Sequence, residues 1–151
     1  MKTTSKKAFF LLSCLFGLGL LLGAAFVVAD ESDGQKAEAA LTPADIPSEA
    51  AAVKNPLAGD AVSASRGKQI FASQCTMCHG ADGAGTGDLV PRLELDIPDF
   101  TNTTWHGEWS DGALFYVLSK GHGAMPGQAK RFDEELRWDL VNYVRTFKAD
   151  G

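Results

Sequence analysis

The sequence is poor in cysteine, with three among 151 residues, and only Cys75 and Cys78 follow the N-terminal apolar segment. A structural zinc site needs four nitrogen or sulfur ligands in a recognisable pattern, and this part of the chain has no third cysteine to contribute. No strand-like alternation precedes the pair, which argues against a thioredoxin-type dithiol. The two cysteines therefore need another explanation.

Positive charge is also scarce beyond the N-terminus. Of the 14 Lys and Arg residues, Lys2, Lys6 and Lys7 lie at the start, so the rest of the chain carries 11 against 19 Asp and Glu, a net charge of −8. An acidic surface argues against nucleic acid as a partner. It predicts either association with proteins that present basic docking surfaces or simple solubility of a small exported protein.

Charged residues are absent from the 22 residues between Ala8 and Ala29. A basic start followed by an apolar run is typical of an export signal, and it places the rest of the chain on the periplasmic side of an inner membrane. The run is long enough to cross a bilayer as an anchor. Small residues at its end also fit a cleavage site. Residues 1–29 are therefore predicted to be a signal peptide or a transmembrane anchor.

The remainder divides by composition into two parts. Residues 30–59 are rich in Ala, Pro and acidic residues without a sustained apolar period, which predicts a flexible linker. Residues 60–151 show helical rather than strand periodicity, which predicts one small all-α domain. Within it we expect helices over residues 60–74, 111–120 and 133–148. The stretch from Gly80 to Trp109 has little period, and we expect it to pack on something other than protein.

The motif that explains the cysteines is Cys75-Thr76-Met77-Cys78-His79. The spacing C-x-x-C-H at the end of a helix places two thiols where they can add to the two vinyl groups of one haem, with the histidine directed at the iron. We therefore predict a single covalent haem c, attached through Cys75 and Cys78 and ligated by His79.

The second axial ligand must come from further along the chain. Met125 lies in Gly121-His122-Gly123-Ala124-Met125-Pro126-Gly127, 46 residues after His79. Glycine and proline there let backbone approach a porphyrin closely and hold a thioether toward iron. Met125 is the predicted ligand; His122, His106 and an open position are the alternatives, and His106 is predicted to be unliganded.

With these pieces the sequence resembles a class I cytochrome c of the short bacterial kind, over residues 60–148. The matching features are Gly67-x-x-x-Phe71 before the haem motif, the motif itself, Pro91, Ala124-Met125-Pro126 and Leu140-Val141-Asn142-Tyr143-Val144. The resemblance implies that the N- and C-terminal helices cross around the haem, with Gly67, Phe71 and Tyr143 at the crossing. It also implies that the carbonyl of Pro91 accepts the imidazole N–H of the proximal histidine. Arg92, Trp105 and Trp109 are candidate donors to the haem propionates.

The predicted function is transfer of single electrons between periplasmic or membrane-bound redox proteins. Iron closed by His79 and Met125 has no site for a substrate, so we expect an electron carrier and not an enzyme. The carrier could be a tethered or free shuttle, or a fixed haem subunit of a larger respiratory or photosynthetic complex. A haem enzyme or gas sensor is the other class, and it requires that Met125 is not a ligand.

Overall fold

The computed structural model describes residues 40–148. Along the chain, a 3₁₀ turn at Pro43–Asp45 precedes seven helices and one two-stranded hairpin: α1 (Ser48–Ala51), α2 (Ala61–Gln74), α3 (Thr76–His79), α4 (Val90–Leu93), α5 (Thr103–Glu108), α6 (Asp111–Lys120), β1 (Gly121–His122), β2 (Met125–Pro126) and α7 (Glu134–Arg145). Within residues 40–148, no helix is both long and apolar enough to cross a bilayer. The predicted signal peptide or anchor at residues 1–29 lies outside the described residues.

The first and last long helices cross at a glycine. A Cβ atom on Gly67 would lie 2.0 Å from the carbonyl oxygen of Asp139 and 2.9 Å from the Cβ of Tyr143, so the backbones of α2 and α7 are in direct contact at this point. The Phe71 ring then packs edge-on against Tyr143, with centroids 5.3 Å apart. The predicted crossing of the terminal helices is confirmed, and with it the all-α class I cytochrome c fold.

Polar side chains are buried next to this crossing. Ser63 and Asp139 are both fully buried, and the Ser63 hydroxyl donates to Asp139 Oδ1 over 2.6 Å. Arg66 donates to the same carboxylate from Nε over 2.7 Å, and Asn142 donates to Ser63 Oγ over 2.7 Å. A buried charge is tolerated only when it is paired and hydrogen-bonded. This network therefore fixes the register of α2 against α7.

Helix boundaries follow the caps that the sequence offers. Asp60 accepts hydrogen bonds from the backbone at the start of α2, Ser110 does so for α6, and Asp133 does so for α7. Such side chains satisfy amide groups that a helix start leaves without partners. The helix predicted over residues 111–120 is confirmed at its bounds. The last helix is shorter than predicted, because Thr146 already caps it.

Residues 41–57, here called the strap, differ from the linker predicted over residues 30–59. Ile46 is buried against Trp109 and Ala113, and a Cβ on Gly112 would lie 2.4 Å from the carbonyl oxygen of Ala50. Asn55 donates from Nδ2 to Asp111 over 2.8 Å. The segment thus packs on α6 through isolated apolar side chains and its own backbone, which leave no periodic pattern to read. Residues 30–39 of the predicted linker lie outside the described residues.

The stretch between Gly80 and Trp109 is more regular than predicted. It contains α4 and α5, and Asn102 caps the start of α5 by accepting hydrogen bonds from the backbone amides of Thr104 and Trp105. Phe100 in this stretch is buried with Phe71 and Leu140. Part of the stretch therefore packs on protein, on the same cluster that the helix crossing builds.

Candidate cofactor site

The Cys75–His79 motif forms a single turn directly after α2. The backbone amide of His79 donates to the carbonyl of Cys75 over 2.9 Å, which closes α3. Both thiols are free and half-buried. Burial raises the pKa of Cys75 to about 11. Two reduced thiols three residues apart on one helical turn therefore lie on the same side of the motif.

The imidazole of His79 is enclosed by aromatic rings. Its plane stacks on Phe100, with centroids 4.9 Å apart and planes 16° apart, and Phe71 lies 6.1 Å away. Its Nδ1 atom is buried without a hydrogen-bond partner. Burial also lowers the pKa of His79 to about 4. The ring is therefore neutral at physiological pH, and a neutral imidazole is the form that binds a metal. These residues fit a haem c.

The hydrogen bond expected from His79 to the Pro91 carbonyl is not present, because Nδ1 has no partner in the described part of the chain. Pro91 instead lies in the exposed helix α4. The loop before α4 is tied to the motif by other bonds: Gly85 donates to the carbonyl of His79 over 2.9 Å, and Leu89 to that of Met77 over 2.9 Å. The loop therefore holds the motif through hydrogen bonds to the carbonyls of Met77 and His79, and not through a bond from the His79 ring to the Pro91 carbonyl.

Met125 lies in a tight hairpin. Strands β1 and β2 pair Gly121 with Pro126 and His122 with Met125. Gly121 has φ +80°, and a Cβ there would lie 2.4 Å from the carbonyl oxygen of Met125. A glycine is required at this position both by its conformation and by the close approach. Met125 and His122, two candidates for the second axial ligand, are therefore direct neighbours.

The remaining candidates have different environments. Arg92 is exposed, Trp105 is half-buried between Phe100 and Trp109, and Trp109 is 7% exposed in the cluster with Ile46. Trp109 thus serves as a core residue, and the propionate contacts of all three stay predictions.

His106 differs from the other candidates because partners occupy both of its ring nitrogens. Nε2 lies 2.6 Å from the carbonyl oxygen of Phe100, and Nδ1 lies 3.2 Å from Nη1 of Arg145. Arg145 can only donate, so Nδ1 accepts and Nε2 carries the proton. Burial lowers the pKa of His106 below 6.5, and the charge of Arg145 acts in the same direction. No lone pair is left for a metal. Sequence reasoning left Arg145 out, since an arginine near a helix end usually serves only the helix dipole.

Within residues 40–148, no three His, Cys, Asp or Glu side chains are grouped closely enough to hold a bare metal ion. The Cys75–His79 turn instead offers two thiols and one desolvated imidazole next to the helix crossing, and Met125 stays the predicted second ligand. That combination defines a c-type cytochrome domain with one covalent haem c.

Comparison with known proteins gives the family. Residues 62–144 match the family described as cytochrome c oxidase, cbb3-type, subunit III, and the chain belongs to it. The cbb3-type cytochrome c oxidase subunit FixP of Rhizobium etli is 33% identical over 82 residues, which are 54% of this chain and 26% of that protein. The chain thus matches about a quarter of the length of such relatives.

Two further relatives are similar over the same domain. Cytochrome c6 of Synechocystis is 32% identical over 78 residues, which are 52% of this chain and 60% of that protein. In the reducing HAO-like protein complex of Kuenenia stuttgartiensis, a chain with 26% identity superposes with a TM-score of 0.55 over 64% of this chain and 50% of its own length. The chain is therefore similar both to a protein named a cytochrome and to a chain of a protein complex.

Proposed function

We propose that the chain binds its haem through Cys75 and Cys78, ligates the iron with His79 and Met125, and passes single electrons between redox proteins on the periplasmic side of an inner membrane. The observation that carries this proposal is the pair of free thiols one turn apart beside a neutral, buried imidazole. When bound, the haem supplies an iron that takes up and releases one electron.

Each residue has a defined part in this proposal. The two thiols form the covalent attachment, so the haem cannot dissociate. His79 contributes an uncharged nitrogen, and the surrounding rings of Phe71 and Phe100 exclude water from it. Met125 contributes a thioether, which favours the reduced iron relative to a second imidazole. Held by these two ligands, the iron would have no position for a substrate, so the domain would carry electrons and not act on a substrate.

The setting of the domain has two candidate forms. A separate carrier is supported by the similarity to cytochrome c6, and a subunit of a cbb3-type oxidase by the family itself. If residues 1–29 stay attached, the strap adds no free length to a tether, because it packs on α6. The net charge of −8 outside the leader supports a partner with a basic docking surface. Extraction in detergent followed by native sizing distinguishes a separate carrier from a subunit, since a subunit co-migrates with a large assembly.

The ligand assignment is tested by replacing methionines. In Met125→Ala we expect the far-red absorption band from sulfur-to-iron charge transfer to disappear and the reduction potential to fall. Met77→Ala is the matched control, because Met77 lies within the haem motif but is 61% exposed. The control should keep the band. A band that persists in Met125→Ala would overturn the assignment and favour His122.

The carrier is distinguished from a haem enzyme or gas sensor by carbon monoxide. The reduced protein at neutral pH should bind carbon monoxide slowly or incompletely, because Met125 must leave first. Rapid and complete binding would contradict the closed iron site.

Denatured protein should still carry one haem per chain, measured by mass, and Cys75→Ala should carry it on one thioether bond or lose it.

A further inference from the structure

Phe100 is the residue that connects the proximal histidine to the rest of the domain. Its ring is 8% exposed and lies nearly parallel to the His79 imidazole, with centroids 4.9 Å apart. It also contacts Trp105, with centroids 4.9 Å apart. A buried ring in contact with its neighbours transmits its own position to them, because protein interiors are close-packed. Whatever fixes Phe100 therefore fixes the plane of His79.

The backbone of Phe100 is held from both directions. Its amide donates to the carbonyl of Gly83 over 2.8 Å, and its carbonyl accepts from Nε2 of His106 at 2.6 Å. The second bond is the only one of the two that comes from a side chain. Its donor lies in α5, whereas His79 ends α3. The bond therefore ties α5 to Phe100, whose ring stacks on His79 at the end of α3.

Arg145 fixes which nitrogen of His106 donates. It reaches Nδ1 of His106 over 3.2 Å from Nη1, and the same nitrogen also donates to the His106 carbonyl over 3.2 Å. Its Nε donates to Asp111 Oδ1 over 2.7 Å, and its Nη2 donates to the carbonyl of Trp109. The guanidinium of Arg145 is held by α6 as well as by α5, so it cannot rotate away from Nδ1 of His106. His106 is thereby locked with its proton on Nε2, toward Phe100.

We propose that His106 is a positioning residue for His79: through the Phe100 carbonyl it sets the orientation of the imidazole that ligates the iron. The proposal rests on the proposed function, since it requires His79 to be the ligand. Groups that orient a metal ligand without touching the metal alter the electronic properties of the site. The orientation of an axial imidazole determines how its π orbitals overlap the iron d orbitals, so it is visible in the spectrum of the oxidised protein.

The experiment compares holoprotein variants by proton NMR of the oxidised state, in which the His79 ring protons are shifted by the iron. In His106→Phe, a ring remains but the donor to Phe100 is lost, and we expect the His79 resonances and the reduction potential to move. His106→Gln places an amide donor near the position of Nε2 and should return both toward the wild-type values. Ile46→Ala is the matched control, because it removes buried contacts beside Trp109 without touching Phe100.

The outcomes separate the two proposals. Unchanged His79 resonances in His106→Phe would overturn the positioning role, as would an equal shift in Ile46→Ala, which would indicate general loosening. Wild-type protein without iron-shifted His79 resonances would instead overturn the proposed function. If His106→Phe does not fold, nitrogen-15 NMR of the wild type decides: a proton on Nδ1 of His106 contradicts the proposal, and a proton on Nε2 supports it.

Discussion

The two sides of the candidate haem site are built differently. On the His79 side, the carbonyls of Met77, Cys78 and His79 each accept an amide of the following loop, from Leu89 over 2.9 Å, Gly87 over 3.2 Å and Gly85 over 2.9 Å. On the Met125 side, two strands of two residues each form the whole hairpin. One side is tied to the helix crossing through buried rings, and the other depends on local turn geometry.

This difference indicates which part of the site tolerates change. A segment with many buried contacts opens only when the domain unfolds, whereas a short hairpin can open alone. The histidine side should therefore lose its structure only when the domain unfolds, whereas the methionine side should open on its own. The four predictions that follow test that separation.

The largest effect is expected for Gly67→Ala. The added Cβ would lie 2.0 Å from the carbonyl oxygen of Asp139, which is backbone and cannot rotate away, so α2 and α7 must separate. Overpacking usually costs about 1–3 kcal/mol, and we expect this substitution to reach at least the upper end. Denaturant unfolding measures the loss. Gly107→Ala is the control, since its Cβ meets nothing within 4 Å. Equal stability of the two variants would contradict a tight crossing.

Gly121→Ala should break the methionine side and spare the fold. An alanine at φ +80° and ψ 170° costs on the order of 1–3 kcal/mol in backbone strain, and its Cβ would press on the Met125 carbonyl. We expect the far-red band to weaken or vanish while helical circular dichroism and covalent haem are retained. If helix content and the band were lost together at the same temperature, the two sides would not be independent.

Gln128→Ala should have a smaller effect on the same side. The Gln128 side chain is buried and donates from Nε2 to the carbonyl of Pro126 over 2.6 Å, next to Met125. One hydrogen bond contributes about 1 kcal/mol. The far-red band should therefore disappear at a temperature a few degrees lower, with little change in global unfolding. Gln74→Ala is the control, because Gln74 is exposed and accepts a hydrogen bond from Arg131, and it should leave the far-red band unchanged.

The smallest effect concerns pH and the histidine side. Burial lowers the pKa of His106 below 6.5 in the folded protein. Just below pH 6.5, His106 is therefore protonated more often in the unfolded chain than in the folded chain. Stability contributed by neutral His106 is complete above pH 6.5 and declines as pH falls through 6.5 toward the lower folded value. Wild type should thus lose more unfolding free energy between pH 7.5 and pH 5 than His106→Phe does. Parallel curves would show that His106 is not responsible.

Sequence patterns predicted the helices that have both caps and apolar faces. Residues 111–120 carry Ser110 and Gly121 at their ends, and the C-x-x-C-H spacing located the proximal side without any tertiary information. The crossing at Gly67 was predicted from the resemblance to class I cytochromes c, because a single glycine in a helix forms no sequence pattern.

Other features could not be predicted because their residues are ordinary in sequence. No sequence pattern marks Ser63, Asp139 and Asn142 as buried partners, and only the structure shows that their side chains hydrogen-bond to one another. The strap likewise has too few apolar residues for a periodic signal. The bond between His106 in α5 and Phe100 in the loop before it has no sequence pattern of its own, because it depends on how that loop folds.

The strap has a consequence for the order in which parts of the domain open. Its bonds join distant parts of the chain: Ser110 to Ala51 across 59 positions and Asn55 to Asn142 across 87. The helix crossing joins residues equally far apart, such as Ser63 and Asp139 across 76 positions, so loop length does not separate the two. What differs is the burial, because the strap contributes one buried apolar side chain, Ile46, whereas the crossing lies against the buried cluster of Phe71, Phe100 and Leu140. We therefore expect the strap to open before the crossing does, and its amide hydrogens to exchange sooner than those of α2 and α7.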